Sequence, residues 1–170
     1  MPVRIPSTLP AVEELRLENI FVIDEQRASS QDIRPLRIGI LNLMPLKLRT
    51  ETDLLRLISN TPLQVAHDLV LPEGPAWTNT PKERLEEFYK SFDDIRNNNY
   101  DGFIVTGAPV EMQNFETVDY WHQLEEIFDW SKTHVTSIVH ICWAALAGLY
   151  HNYGITKHVL DHKISGVFSH

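Results

Sequence analysis

The stretch LRIGILNLM, residues 36–44, decides the fold because it is almost continuously apolar and rich in branched side chains. Such a run is typical of a strand that is buried on both faces of a parallel sheet. Pro45 ends it, and similar strand patterns follow at residues 63–71, 103–106 and 135–141. Helical patterns separate these runs. The chain therefore predicts an α/β fold, a parallel Rossmann-like sheet with helices on both faces.

N-caps and apolar residues at helical spacing indicate the helices. Thr50 is expected to cap one helix and Thr80 another, in which Pro81 takes the first helical position. Two further helices are expected at residues 118–132 and 143–150. The expected buried faces of the first two helices consist of Leu54, Leu55, Leu57 and Ile58, and of Leu85, Phe88, Tyr89 and Phe92.

The first 35 residues differ from the rest, because they hold four prolines and only short apolar groups. We expect residues 1–35 to form an N-terminal arm with a short helix at residues 11–18. Residues 36–170 are then expected to form the α/β domain.

Composition argues against several classes of function. The net charge of −8 comes with no basic face, so a nucleic-acid partner is not expected. No apolar run approaches the roughly 18–20 residues of a membrane span, and the N-terminus lacks the apolar core of a signal peptide. A single cysteine fits a reducing, cytoplasmic location. The eight histidines show no paired ligand motif, so no metal site is expected.

Cys142 stands where the last predicted strand turns into the last predicted helix. A residue on such a turn projects its side chain from the sheet edge, and a helix N-terminus favours the thiolate. The backbone N–H of Trp143 would point at an oxyanion formed there. An inert buried cysteine is about as well supported, because His140 and Ala144 replace the glycines of a G-x-C-x-G elbow.

Two other strand ends carry unusual residues, at 42–45 and 106–109. Parallel strands bring their carboxyl ends to one edge, where α/β folds bind ligands, so both should lie beside Cys142. His140 is two residues from Cys142 and could be its partner base. Because it should lie deeper in the sheet, a buried histidine with satisfied hydrogen bonds is the preferred interpretation.

Eight blocks of the sequence resemble the homoserine O-acyltransferase family, whose fold is similar to that of class I glutamine amidotransferases. The resemblance covers essentially the whole chain. The blocks are PAVEELRLENIFV, LRIGILNLMP, TETDLLRLISNTPLQV, YDGFIVTGAPVE, VDYW, WSKTHVTS, HICWAALAGLYHNYGI and KISGVF, beginning at residues 10, 36, 50, 100, 118, 130, 140 and 163.

This resemblance implies an enzyme of methionine biosynthesis that transfers an acetyl group to L-homoserine, with acetyl-CoA as co-substrate and no permanently bound cofactor. Cys142 matches the acyl-accepting cysteine of the family. Glu111 matches the position where glutamate accompanies acetyl-CoA and glycine accompanies succinyl-CoA. A carboxylate there would repel the free carboxylate of a succinyl group and occupy its space.

Lys163 matches a substrate-binding lysine of the family and would hold the α-carboxylate of homoserine. Lys47 follows the first strand end, so it is a further candidate for that carboxylate or for the phosphates of coenzyme A. Arg49 would serve equally well.

Several alternatives stay open. The acceptor could be L-serine, because one methylene discriminates by only about 1–3 kcal/mol, and the donor could be succinyl-CoA. Glutamine amide hydrolysis on the related fold is disfavoured by the missing elbow glycines. The family's catalytic histidine and glutamate follow the KISGVF block and match no residue here. We therefore expect the N-terminal part of a longer domain, incomplete and with little turnover of its own. A homodimer is left open.

Overall fold

The computed structural model describes residues 3–24, 28, 34–74, 77, 79–162, 164–167 and 169, which form an α/β fold. The strands are β1 (Val3–Arg4), β2 (Val22–Ile23), β3 (Leu36–Leu41), β4 (Val65–Val70), β5 (Tyr89–Lys90), β6 (Tyr100–Val105) and β7 (Val135–His140). The helices are α1 (Ala11–Leu17), α2 (Lys47–Ile58), α3 (Lys82–Phe88), α4 (Phe92–Ile95), α5 (Trp121–His134) and α6 (Trp143–Tyr153), with a 3-10 helix at Phe115–Thr117.

The seven strands form a single sheet in the order β2-β1-β4-β3-β6-β7, with β5 beside β4, and each of these pairings is parallel. Hydrophobic clusters cover both faces. Ile40 packs in one cluster with Leu15 of α1 and Leu55 of α2, whereas its neighbour Leu41 packs in the other with Leu124 of α5. The prediction of a parallel sheet with helices on both faces is therefore confirmed.

The register brings the ends of the central strands into one line. Leu41 pairs with Val70 on one side and with Val105 on the other, and Val105 pairs with His140. The residues that follow β3, β6 and β7 consequently lie at the same edge of the sheet. This edge positions the candidate site.

The N-terminal segment contributes to the sheet. Val3 pairs with Val22 and with Val65, so β1 and β2 extend the sheet beyond β4. Helix α1 buries Val12 and Leu15 against the same face as α2. Residues expected to form an arm thus supply two strands and a packed helix.

Helix α2 starts four residues earlier than predicted, at Lys47, so its N-cap is Leu46 and not Thr50. The Thr50 hydroxyl instead donates to the carbonyl of Leu46 within the first turn, at 3.2 Å. The expected buried face is also wrong in part, because Leu57 is 71% exposed. The stripe that packs inward runs through Lys47, Glu51 and Leu55, which are spaced four residues apart.

The region after residue 80 is more broken than predicted. Pro81 itself is the N-cap of α3, and the helix ends at Phe88, so Tyr89 and Phe92 do not share its face. Tyr89 joins the sheet in β5, next to β4. Phe92 begins a separate helix, capped by Ser91 and Asp94 in a reciprocal capping box. This capping box starts a new helix at Phe92, so the single helix predicted after residue 80 is two helices.

The remaining elements keep their predicted type with shifted ends. Helix α5 starts at Trp121 rather than at residue 118, and α6 continues to Tyr153, where Gly154 adopts a left-handed C-cap with a φ of 67°. Strand β7 is the last in the sheet, and Val139 on it is 53% exposed. Within the described ranges, no helix is long and apolar enough to cross a membrane.

Candidate active site

Cys142 occupies a strained turn between β7 and α6. Its φ of 56° and ψ of −119° lie in a region that residues other than glycine rarely adopt. Such strain of about 1–3 kcal/mol persists only where the surrounding structure enforces it, and it concentrates at functional sites. The thiol is free and the residue is exposed. The conformation is that of a nucleophile elbow, although His140 and Ala144 stand in place of its usual glycines.

Gly107, at the end of β6, lies directly against Cys142. A Cβ built on Gly107 would stand 3.0 Å from Cys142 Cβ and 3.5 Å from its Sγ. A side chain at position 107 would therefore require the Cys142 side chain to shift by a few tenths of an ångström. The carboxyl ends of β6 and β7 are therefore brought together, as their sequences predict.

Thr106 connects the third strand end to this pair. Its buried hydroxyl accepts a hydrogen bond from the N–H of Leu43 at 2.7 Å and donates to the carbonyl of Gly107 at 3.1 Å. The N–H of Thr106 continues the sheet ladder to Leu41. All three predicted strand ends thus form one hydrogen-bonded edge that carries Cys142.

Four backbone N–H groups near Cys142 differ in whether they have an acceptor. The N–H groups of Ala144 and Ala145 are used in the first turn of α6, by the carbonyls of Ile141 and Cys142. In the described part of the chain, the N–H groups of Gly107 and Trp143 have no hydrogen-bond acceptor. Such groups are suited to stabilise negative charge on an oxygen bound beside Cys142.

The Trp143 side chain is part of the core below the turn. It is 1% exposed and packs near Phe115 and Tyr120, at centroid distances of 5.9 and 6.4 Å. Its Nε1 is buried and finds no acceptor among the described residues. Aromatic packing therefore fixes the start of α6, and hence the backbone N–H of this residue.

His140 faces the helical layer rather than the thiol. Its ring packs edge-on against Phe128, at 5.0 Å between centroids, and closely against Gly148. Burial lowers the pKa of the imidazole. The expectation of a satisfied histidine is wrong, because Nε2 is buried without a partner in the described ranges.

Glu111 lies in a turn four residues beyond Gly107. Its side chain is exposed, and within the described ranges it makes no hydrogen bond or ion pair. The turn is closed by a bond from the N–H of Gln113 to the carbonyl of Val110, at 3.0 Å. The Glu111 carboxylate is therefore exposed and unpaired among the described residues.

Lys47 is buried at the start of α2, with only 1% of its surface exposed. Its ammonium donates to the carbonyl of Asn42 at 2.6 Å and lies 3.4 Å from the centre of the Trp77 ring. Burial lowers the pKa of Lys47 to about 7, partly offset by the nearby Glu51 carboxylate. The ammonium is thus engaged inside the protein rather than presented at the surface.

The family model for homoserine O-succinyltransferase matches residues 2–170 of the chain. The chain belongs to the homoserine O-succinyltransferase family.

Curated relatives agree with this family assignment. The chain is 59% identical to a homoserine O-acetyltransferase of Bacteroides fragilis over 170 residues, which are 100% of this chain and 56% of the relative. It is 58% identical to a protein of the same name from Clostridium acetobutylicum, with the same coverage, and 56% identical to one from Acetivibrio thermocellus. The chain spans little more than half the length of the curated relatives it matches.

Two further expectations for this family member concern a substrate-binding lysine and a metal site. Lys163 lies outside the described residues, so its proposed contact with substrate stays a prediction. In the part of the chain that the structure describes, no group of three or more His, Cys, Asp or Glu residues could hold a metal ion.

A buried polar network beside the sheet edge was not predicted. Glu51 is fully buried in α2, forms an ion pair with Arg84 and accepts a hydrogen bond from the Tyr89 hydroxyl at 2.5 Å. Asn42 donates to that hydroxyl at 2.9 Å, which links the network to the end of β3. Burial and the Glu51 carboxylate raise the pKa of Tyr89.

One sequence signal could have revealed this network. Lys47 and Glu51 share the i, i+4 stripe that continues with the apolar Leu55, so two charged residues occupy the buried face of α2. Charges on such a stripe are rare unless they have partners. The partners themselves, Arg84 and Tyr89, are more than thirty residues away and carry no local signal.

Proposed function

We propose that this chain carries the acyl-accepting cysteine of an acyl-CoA-dependent enzyme that acetylates the hydroxyl of L-homoserine, a step of methionine biosynthesis. One observation carries the proposal: Cys142 is an exposed thiol held in a strained elbow at the start of α6, beside Gly107 and Trp143, whose N–H groups have no acceptor among the described residues. Relatives at 56–59% identity that are named homoserine O-acetyltransferase give further support.

The first step is transfer of the acetyl group to the enzyme. The Cys142 thiolate attacks the carbonyl carbon of acetyl-CoA, and the carbonyl oxygen takes up the negative charge. The N–H groups of Trp143 and Gly107 donate to this oxyanion. The intermediate then collapses, the bond to the sulfur of coenzyme A breaks, and the acetyl group stays on Cys142 as a thioester.

The second step passes the acetyl group to the acceptor. The hydroxyl oxygen of homoserine attacks the thioester carbon, and a base removes its proton. The bond to Cys142 Sγ breaks, which releases the O-acetyl ester and restores the thiolate. His140 is a poor base for this step, because its ring is packed against Phe128 and Gly148.

We assign to Glu111 the choice between acetyl-CoA and succinyl-CoA as acyl donor. Its carboxylate, which is unpaired among the described residues, follows the strand end that contacts Cys142, so it can oppose the terminal carboxylate of a succinyl group. An acetyl group has no such charge and is accepted. Glu111 need not bind the acetyl group at all, since excluding the larger anion is sufficient.

We assign the α-carboxylate of homoserine to Lys163 by its match to the family motif. Lys47 is the weaker candidate, because its ammonium would have to leave the Asn42 carbonyl and the Trp77 ring to reach a ligand. Its buried position instead supports a role in holding the β3–α2 connection against Trp77.

The test is an intact-mass measurement on the purified chain after incubation with acetyl-CoA. The wild-type chain should gain about 42 Da, one acetyl group in place of one proton. The Cys142→Ser variant should gain nothing in the same time. Alkylation with iodoacetamide shows in parallel that the thiol is accessible. A chain whose Cys142 is readily alkylated but takes no acetyl group would contradict the proposal.

A further inference from the structure

Lys157 ties the turn that carries Glu111 to the end of helix α6. Its ammonium donates to the carbonyl of Glu111 at 2.6 Å and also to the carbonyl of Gln113. The same ammonium lies 4.7 Å from the centre of the Phe115 ring. Most lysines extend into water, whereas this half-buried one bonds two main-chain carbonyls more than forty residues away in sequence.

Phe115 anchors the same segment on α6. It is 4% exposed and stacks on Tyr150, with 4.7 Å between ring centroids. The Tyr150 hydroxyl donates to the carboxylate of Glu116. Phe115 also lies against Trp143, the first residue of the helix, at 5.9 Å. Both ends of α6 therefore contact the segment that follows Glu111.

The chain returns to this segment because α6 ends in a left-handed residue. Gly154 has a φ of 67°, and its N–H closes the last turn on the carbonyl of Tyr150 at 2.8 Å. The reversal brings Lys157 back beside residues 111–113. One helix thus carries Cys142 at its start and fixes the Glu111 turn at its end.

We propose that Lys157 is a positioning residue for donor choice. By holding the main chain of residues 111–113 against α6, it sets where the Glu111 carboxylate stands relative to an acyl group on Cys142. This inference rests on the proposed role of Glu111. Charge repulsion weakens with distance and with access of water, so a released turn would exclude a succinyl group less well.

The experiment measures how fast Cys142 is acylated by acetyl-CoA and by succinyl-CoA, followed by intact mass. The variants are Lys157→Met, which keeps the length but removes the donors, and Lys157→Arg, which keeps them. Lys132→Met on α5 is the matched control, because it removes an equal charge from an exposed lysine whose one partner among the described residues is Asp129. Glu111→Gly and the double variant Glu111→Gly/Lys157→Met complete a cycle.

Lys157→Met should raise the succinyl-to-acetyl rate ratio about threefold to tenfold, while Lys157→Arg and Lys132→Met stay within about twofold of wild type. In the Glu111→Gly background, Lys157→Met should change the ratio no further. An unchanged ratio in Lys157→Met, beside a clear shift in Glu111→Gly, overturns the inference and leaves the role of Glu111 standing. If Glu111→Gly also leaves the ratio unchanged, both fall.

A second readout needs no acyl transfer. Iodoacetate and iodoacetamide alkylate Cys142 and differ in charge but hardly in size, so their rate ratio reports the charge near the thiol. Glu111→Gly should raise the relative rate of iodoacetate, and so should Lys157→Met if the turn is released. If Lys157→Met only removed a positive charge, without releasing the turn, the relative rate of iodoacetate would fall. A lowered or unchanged ratio in Lys157→Met therefore overturns the inference.

Discussion

Gly107 and Cys142 are in such close contact that a Cβ at position 107 would stand 3.0 Å from Cys142 Cβ and 3.5 Å from Sγ. The two residues end neighbouring strands, and the Gly107 carbonyl is held by the hydroxyl of Thr106 at 3.1 Å. The position of the Cys142 thiol therefore depends on Gly107, which follows β6, as well as on the turn between β7 and α6.

The first prediction concerns Gly107→Ala. The added methyl group should displace the Cys142 side chain and lower the rate of its acylation roughly tenfold or more, because small misplacements of reacting groups are costly. Gly102→Ala on β6 is the control, since its Cβ would press on the flexible end of Ile38 and would be in ordinary contact, at 3.8 Å, with the carbonyl oxygen of Ser137. Rates from intact mass that fall equally in both variants would point to general destabilisation instead.

The second prediction concerns the strain at Cys142. Glycine adopts a φ of 56° without steric penalty, so Cys142→Gly should raise the free energy of unfolding by about 1 kcal/mol even after the greater entropy of unfolded glycine is counted. Cys142→Ser keeps the strain and should be as stable as wild type. Urea unfolding compares the three proteins, and a Cys142→Gly variant less stable than Cys142→Ser would refute the account of strain.

The third prediction concerns the buried pair Glu51 and Arg84, whose side chains are 0% and 15% exposed. Glu51→Ala leaves the guanidinium buried without its partner and should lower the free energy of unfolding by about 3–5 kcal/mol. The exposed pair Lys82–Glu86 serves as control, and Glu86→Ala should change stability by less than about 0.5 kcal/mol. Similar urea midpoints for both variants would show that the buried network contributes little.

The fourth prediction is a pH dependence from Lys47, whose pKa falls from 10.5 to about 7 on burial. Between these values the unfolded chain binds a proton that the folded chain does not, so stability from this residue rises with pH. Relative to Lys47→Met, the wild-type protein should gain up to about 1.4 kcal/mol per pH unit between pH 7 and 9. A stability difference that is constant over this range would contradict the burial of a neutral amine.

Local sequence predicted the fold well because the buried strands are strong signals. The runs at β3 and β7 and the helices α5 and α6 were recognised by type, with ends shifted by a few residues. The errors at Thr50 and Thr80 have the same form: the N-cap is Leu46 in α2 and Pro81 in α3, and neither cap makes a side-chain hydrogen bond. The N-cap is the residue at which the backbone enters helical geometry, and several neighbouring residues can take that position.

The candidate site was predictable only where its residues follow strand ends. Cys142 and Gly107 were placed correctly at the sheet edge, because parallel strands end together. The contacts of Glu51 and Lys157 join residues far apart in sequence, and Lys157 bonds main-chain carbonyls that exist at every position. No local residue pattern predicts such a contact.

The central claim, that Cys142 accepts the acyl group, is tested most directly by mapping the acetyl group after brief exposure of the chain to acetyl-CoA. The account predicts an acetyl group on the peptide that contains Cys142, removed by neutral hydroxylamine because it is a thioester. Lys47 provides the internal comparison, since a pKa of about 7 makes its amine partly neutral and an acetyl amide there would resist hydroxylamine. A stable acetyl group on Lys47 or another lysine, with Cys142 unmodified, would contradict the account.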